Sequence, residues 1–181
     1  MHRFVVCLAL ILLGCAPGRG LSPIPPGNSE YRLGVGDTVR LITFGEEQLT
    51  GEFRVNDAGA IAVPLLGDVR AAGLTPAELQ SSVRTAFQRA RLLQNPSVAA
   101  EVTAYRPIFV LGEVNKPGQY PYQPGMTMVT AVAVSGGFTY RAVRNTASVV
   151  RSVEGLAVEG TAMRQTYVQP GDVITIFERW F

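Results

Sequence analysis

Residues 76–92 carry the clearest periodic pattern of apolar side chains in the chain. The apolar positions recur at helical spacing, and they are Leu79, Val83, Ala86, Phe87 and Ala90. Thr75 and Glu78 form a capping-box pattern with a proline between them at the first helical position, and Asn95-Pro96 ends the pattern. We predict a helix that runs to about residue 92 and packs its apolar face on a small sheet.

Elsewhere, short apolar or alternating segments separated by turns predict strands. These segments are residues 39–44, 53–55, 60–64, 67–70, 97–105, 108–112, 119–122, 148–151, 164–168 and 173–177. The segment 108–112 is strongly apolar, which predicts a strand buried on both faces. A second, shorter helix is predicted over residues 127–135 because a Gly-Gly pair follows it as a C-terminal cap.

A Gly-Asp pair opens a strand near each end of the predicted fold. Gly36-Asp37 precedes residues 39–44, and Gly171-Asp172 precedes residues 173–177. This repeat, together with the break at Arg106-Pro107, predicts two units, at residues 30–105 and 106–181. Each unit would be a small sheet covered by one helix, so the predicted fold class is α+β.

The N-terminus has the form of a secretory signal, with a short basic start and ten apolar residues before Gly14-Cys15. Its end, Leu12 to Cys15, resembles the lipobox of bacterial lipoproteins. We predict a signal peptide at residues 1–14, a lipidated Cys15 and a Pro/Gly-rich, extended tether at residues 15–29. The alternatives are an ordinary signal with a chance cysteine, or a core helix.

Composition removes several classes of function. His2 and Cys7 lie in the predicted signal, so the mature chain would lack histidine and would keep only the acylated cysteine. That excludes a Ser-His-Asp or Cys-His nucleophile and a His- or Cys-ligated zinc site. The net charge is +2 with scattered arginines, which argues against nucleic acid as a partner. Only paired carboxylates are left for catalysis. We favour the interpretation that these carboxylates are solvated charges on turns and strand edges. We therefore expect no enzyme activity, no cofactor and no metal.

Short motifs distributed in order along the chain resemble two known domains. Those before residue 106 resemble the polysaccharide biosynthesis/export domain, and they are Val35-Gly36-Asp37, Asp57-Ala58-Gly59, Leu66-Gly67-Asp68-Val69, Gly73-Leu74-Thr75 and Asn95-Pro96. Those after it resemble the soluble-ligand-binding β-grasp domain, and they are Val110-Leu111-Gly112-Glu113-Val114, Pro117-Gly118-Gln119-Tyr120 and Ser135-Gly136-Gly137-Phe138. The resemblance implies a non-catalytic outer-membrane lipoprotein, anchored on the periplasmic side, that exports capsular or exopolysaccharide through a trans-envelope complex.

The resemblance also implies partners. These are identical subunits in a ring, an inner-membrane polysaccharide co-polymerase and the polysaccharide itself. Large family members end in a helix that crosses the outer membrane, whereas no segment of the mature chain approaches the ~20 residues that a spanning helix needs. We therefore expect a separate outer-membrane β-barrel, with Trp180-Phe181 reaching at most the lipid interface. The sequence assigns no residue to contact with the sugar.

Two other classes of protein stay open at this point. The first is a periplasmic saccharide-binding module without a transport role. The second is a small transmembrane β-barrel, which the helix in mid-chain and the mostly short predicted strands argue against.

Lipidation of Cys15 gives the first testable prediction. Acyl chains contribute about 0.8 kcal/mol per buried methylene, so the mature protein should fractionate with membranes, whereas Cys15→Ser should remain uncleaved and unacylated. Ala16 follows the cysteine, and by resemblance to Gram-negative lipoproteins this indicates the outer membrane. Mass spectrometry of the mature N-terminal peptide measures the modification. A free Cys15 thiol, or a mature start elsewhere, contradicts the prediction.

Overall fold

The computed structural model describes residues 20–26, 30–153 and 155–179. The predicted signal peptide, Cys15 and the Trp180-Phe181 tail lie outside the described residues. Within them the chain forms ten strands and two α-helices. The predicted α+β fold class is confirmed.

The strands before residue 105 form a three-stranded antiparallel sheet and a separate hairpin, with one helix packed beside them. In chain order the elements are β1 (Thr38–Thr43), β2 (Gly51–Arg54), β3 (Ala60–Val63), β4 (Gly67–Arg70), α1 (Pro76–Arg89) and β5 (Val98–Ala104). β1 lies between β2 and β5, and β3 pairs with β4. Leu41, Ile61 and Phe87 are fully buried in one hydrophobic core that joins the sheet, the hairpin and the helix.

The capping box of α1 forms as the sequence predicts. The Thr75 hydroxyl accepts from the Glu78 amide at 3.2 Å, and the Glu78 carboxylate accepts from the Thr75 amide at 2.8 Å. The helix ends at Arg89 rather than near residue 92, because Arg91 adopts a φ of 56° and the Leu92 amide bonds back to the Phe87 carbonyl. This left-handed C-terminal turn is a Schellman motif formed without glycine.

The strands after residue 107 form one five-stranded sheet. The elements are β6 (Ile108–Gly112), β7 (Gly118–Tyr120), α2 (Met128–Val134), β8 (Ala142–Val153), β9 (Leu156–Met163) and β10 (Val173–Glu178). The sheet order is β7-β6-β10-β8-β9, with β6 and β10 parallel and the other pairs antiparallel. A parallel central pair with the helix after the second strand is the β-grasp arrangement, so the β-grasp-like prediction for this unit is confirmed.

The prediction that residues 108–112 are buried on both faces is wrong. Ile108 and Val110 are fully buried, whereas Phe109 and Leu111 are 38% and 42% exposed. The buried residues belong to a core that also contains Met128 of α2. A continuous apolar run does not reveal whether a second layer covers the strand, and α2 supplies a layer on one face only.

The strand predicted at residues 148–151 is confirmed as part of a longer strand, whereas the strand predicted at residues 164–168 is wrong. β8 spans 12 residues and pairs with β9 in a long antiparallel hairpin. Residues 164–168 form a loop that is fixed to the start of α2, where the Met128 amide donates to the Thr166 carbonyl at 2.9 Å and the Val168 amide donates to the Met126 carbonyl at 3.0 Å. Only the apolar centre of β8 has the sequence pattern of a strand, because Arg144 and Asn145 interrupt the alternation of apolar and polar residues near its start.

Part of the predicted tether lies against the second sheet. The Thr161 amide donates to the Ser22 carbonyl at 2.8 Å, and the Ile24 amide donates to the Thr161 carbonyl at 2.9 Å. Ile24 is 6% exposed and joins the core of this sheet. The predicted tether is therefore not separate from the fold at Ser22 to Pro25, because the edge of β9 offers unpaired backbone groups to an extended segment.

The glycine at position 160 permits this contact, which gives the second prediction. A Cβ there would lie 2.8 Å from the Ile24 nitrogen and 2.9 Å from the Ser22 carbonyl oxygen. Gly160→Ala should displace the segment, and the amides of Ile24 and Thr161 should then exchange hydrogen faster. Gly118→Ala is the matched control, since no atom lies within 4 Å of a Cβ there. Equal exchange rates in Gly160→Ala and the wild type would contradict this role.

Candidate functional site at the junction of the two units

The two Gly-Asp turns share one geometry. Asp37 and Asp172 are 0% and 1% exposed. Each carboxylate accepts from the amide three residues earlier, from Gly34 and from Gln169, at 2.7 Å in both turns. The glycine before each aspartate has a positive φ, 93° and 86° respectively, which lets the chain turn tightly into the strand.

Each buried aspartate pairs with an arginine. In the second unit, Arg151 binds Asp172 through two parallel contacts, Nε to Oδ1 at 3.0 Å and Nη2 to Oδ2 at 2.6 Å. In the first unit, Asp37 accepts from the main-chain nitrogen of Arg106 at 2.8 Å and from its Nη1 at 3.1 Å. The interpretation of the turn carboxylates as solvated charges is therefore wrong for both residues. Burial of a carboxylate requires such a charged partner.

Arg106 connects the two turns to each other. Its Nη1 binds Asp37 of the first turn, while its Nε donates to the carbonyl of Pro170 in the second turn at 3.0 Å. A Cβ at Gly34 would overlap the guanidinium, and one at Gly171 would lie 2.9 Å from Nε. The junction therefore needs glycine on both sides of this side chain.

Three tyrosines extend from this ion pair. The Tyr31 hydroxyl donates to Asp37, and the rings of Tyr31 and Tyr105 meet edge-to-face with centroids 4.9 Å apart. Tyr105 contacts Tyr122 in the same way at 5.4 Å. Burial, followed by the hydrogen bond to Asp37, raises the pKa of Tyr31 above its ordinary value, and burial raises the pKa of Tyr122. Tyr31 and Tyr122 are therefore uncharged at neutral pH, and the three rings pack as one cluster.

Tyr122 also lines a cleft of about 470 Å³ on the second unit. The lining combines aromatic, amide and apolar side chains, among them Ile24, Tyr122, Arg151, Gln165, Tyr167 and Gln169. Arg151 binds both rims of the cleft, because its guanidinium donates to the Pro25 carbonyl at 2.8 Å and to the Tyr167 carbonyl at 3.0 Å. The volume lies in the range of about 300–1,000 Å³ that is typical of small-molecule sites.

The one site residue named by the sequence, Cys15, lies outside the described residues and stays a prediction. The sequence indicates Arg106 only as part of a break between strands, so its role at the junction is not predicted, and neither is the cleft. The repeated Gly-Asp motif was the available signal, because two buried aspartates need two cations.

In the described ranges, no helix has the length and apolarity to cross a bilayer, and no three His, Cys, Asp or Glu side chains are grouped as a metal site.

Comparison with known proteins assigns both halves of the chain. Residues 25–103 match the model of the polysaccharide biosynthesis/export proteins, and residues 107–165 match the SLBB domain. The chain belongs to the polysaccharide biosynthesis/export protein family. The expected resemblance is confirmed, and Arg106 lies in the short interval between the two matched domains.

Relatives in three bacteria carry names from polysaccharide production and export. The chain is 34% identical over 150 residues to the exopolysaccharide production protein ExoF of Rhizobium meliloti, covering 75% of this chain and 34% of ExoF. It is 28% identical to the EPS I polysaccharide export outer membrane protein EpsA of Ralstonia nicotianae, covering 80% of this chain and 40% of EpsA. The polysialic acid transport protein KpsD of Escherichia coli is 27% identical, over 61% of this chain and 20% of KpsD. The chain thus spans less than half the length of these relatives.

Removal of the Arg106 side chain gives the third prediction. Arg106→Ala leaves the buried Asp37 carboxylate without its guanidinium partner, so the free energy of unfolding should fall by about 3 kcal/mol, measured by denaturant titration. Arg40→Ala is the control, because Arg40 forms exposed ion pairs with Glu52 and Glu101 and such pairs contribute about 1 kcal/mol or less. Similar losses in the two variants would show that Arg106 does not hold the junction.

Proposed function

We propose that this chain takes part in the export of a capsular or exopolysaccharide. It would act as an outer-membrane lipoprotein, anchored through Cys15 on the periplasmic side, within a trans-envelope translocation complex. The observation that carries the proposal is the order of the two matched domains along one chain. The names of ExoF, EpsA and KpsD support the same role. We place the boundary between the two domains at residues 105 and 106, where Arg106 links them.

The partners that we propose are further copies of the chain in a ring, an inner-membrane polysaccharide co-polymerase and a separate outer-membrane β-barrel. The uncovered face of the second sheet supports association. Phe109 and Leu111 are about two-fifths exposed on β6, and Met163 is 66% exposed on β9. Exposed apolar surface of this kind favours a protein partner.

We also propose that the protein moves its polymer without altering it chemically. Among the described residues, the two most buried carboxylates are Asp37 and Asp172, and each is held by an arginine and by backbone amides. A general acid or base needs a carboxyl group that can exchange protons with a substrate. These two groups are instead committed to the fold.

A second candidate function is a periplasmic saccharide-binding module without a transport role. The cleft beside Tyr122 is the observation that favours it, because its lining combines rings with amide groups. The two candidate functions differ in the expected effect of removing the protein. Loss of surface polymer indicates export, and normal surface polymer indicates a binding module.

Deletion of the gene tests the export proposal and gives the fourth prediction. Surface polymer should be lost while lipid-linked repeat units are still made, because assembly of the repeat precedes translocation. Polymer would be measured by hexose content of the washed cell surface, and the intermediates by lipid extraction. The wild-type gene should restore export, and Cys15→Ser should restore little of it. Normal surface polymer in the deletion strain would falsify the export role and would favour the binding module.

A further inference from the structure

The cleft on the second unit presents one aromatic ring to solvent on a fixed backbone. Tyr167 is 65% exposed, although its neighbours are held by main-chain hydrogen bonds. The Thr166 carbonyl accepts from Met128, and the Val168 amide donates to the Met126 carbonyl. The Tyr167 carbonyl itself accepts from Arg151 at 3.0 Å. A large ring exposed on a rigid loop is pre-organised for a ligand, because little conformational entropy is lost when it is covered.

Most of the polar side chains that line the cleft are uncharged. Gln165 and Gln169 line the cleft, and a carboxamide offers both two donors and an acceptor. Among the described lining residues Arg151 is the one with a charge, and its side chain is only 5% exposed and is neutralised by Asp172. The described lining of the cleft therefore has groups to bind hydroxyls and contains no free cation for a carboxylate or phosphate.

The N-terminal segment supplies one wall of the same cleft. Ile24 and Pro26 line it, and the Pro25 carbonyl accepts from Arg151 at 2.8 Å. The cleft is thus complete only when this segment lies on β9. The other large groove, about 790 Å³ beside α1, has no aromatic side chain in its described lining, so it lacks a surface on which a sugar ring could stack.

We propose that this cleft binds an uncharged stretch of a saccharide chain, and this inference rests on the proposed export function. The ring of Tyr167 packs against the C–H face of a sugar residue, and the carboxamides of Gln165 and Gln169 bind its hydroxyl groups. The cleft is open to solvent at this ring, because Tyr167 is 65% exposed. A polymer can therefore occupy the cleft and leave it along the direction of the chain.

Binding of defined tetrasaccharides to the mature full-length protein tests the proposal, which is the fifth prediction. The probes are cellotetraose, maltotetraose and mannotetraose, with tetragalacturonic acid as the acidic counterpart, and binding is followed by saturation-transfer NMR and calorimetry. At least one neutral probe should bind more tightly than the acidic one. Tyr167→Ala should weaken that binding by at least about tenfold, because the aromatic contact is lost.

Tyr140→Ala is the matched control. Tyr140 is 77% exposed on the same unit and is not among the residues that line the cleft, so this variant should bind as the wild type does. Gly160→Ala should also weaken binding, because it displaces the wall that contains Ile24. Circular dichroism establishes that each variant is folded. The proposal is overturned if no neutral probe binds, if Tyr167→Ala and Tyr140→Ala bind equally, or if the acidic probe binds more tightly.

Comparison of probe binding by the variants with the phenotype of the deletion strain separates this inference from the proposed function. If deletion abolishes surface polymer and Tyr167→Ala binds its probe like the wild type, the cleft proposal fails and export stands. If the deletion strain exports normally while Tyr167 is needed for binding, export fails and the cleft remains a saccharide site.

Discussion

The arrangement of both units depends on how the charge of Asp37 is neutralised. This carboxylate is fully buried and receives four donors: the amide of Gly34, the hydroxyl of Tyr31, and the main-chain and side-chain nitrogens of Arg106. Removing one partner from a buried ion pair costs several kcal/mol, so Arg106 is held in place. Because the same guanidinium binds the Pro170 carbonyl, the neutralisation of a charge in the first unit also positions the second.

The two Gly-Asp turns show how one local motif serves two purposes. In both, the aspartate accepts from the amide three residues before it and pairs with an arginine. Arg151 lies in the same unit as Asp172 and uses its remaining donors on Pro25 and on the rim of the cleft. Arg106 instead lies at the start of the second unit and reaches back to the first. The identical turn therefore stabilises one unit internally and joins the other to its neighbour.

Local signals in the sequence were sufficient for α1 and for the turns, because a capping box and a Gly-Asp pair act over three or four residues. Contacts between distant residues were not predictable in this way: Arg106 and Asp37 lie 69 positions apart, and neither has a neighbour that indicates the other. The same limitation applies to β8, because its pairing with β9 overrides a poor strand pattern. It also applies to Ser22 and Ile24, whose contact with β9 depends on the absence of a side chain at Gly160. The cleft was missed because its walls come from the N-terminal segment and from the second unit, which the whole first unit separates along the chain.

A rigid junction and an open cleft are compatible requirements for a protein that handles a long chain. In the proposed export role, the polymer must be released as readily as it is bound. Its binding energy should therefore come from pre-organised groups rather than from deep enclosure. The tyrosine cluster provides this rigidity: Tyr31 is fixed by the ion pair, and Tyr105 transmits that position to Tyr122 at the cleft. The wall of the cleft is thus aligned with the first unit through packed rings. A change at Arg106 would therefore alter the orientation of the cleft as well as the stability of the fold.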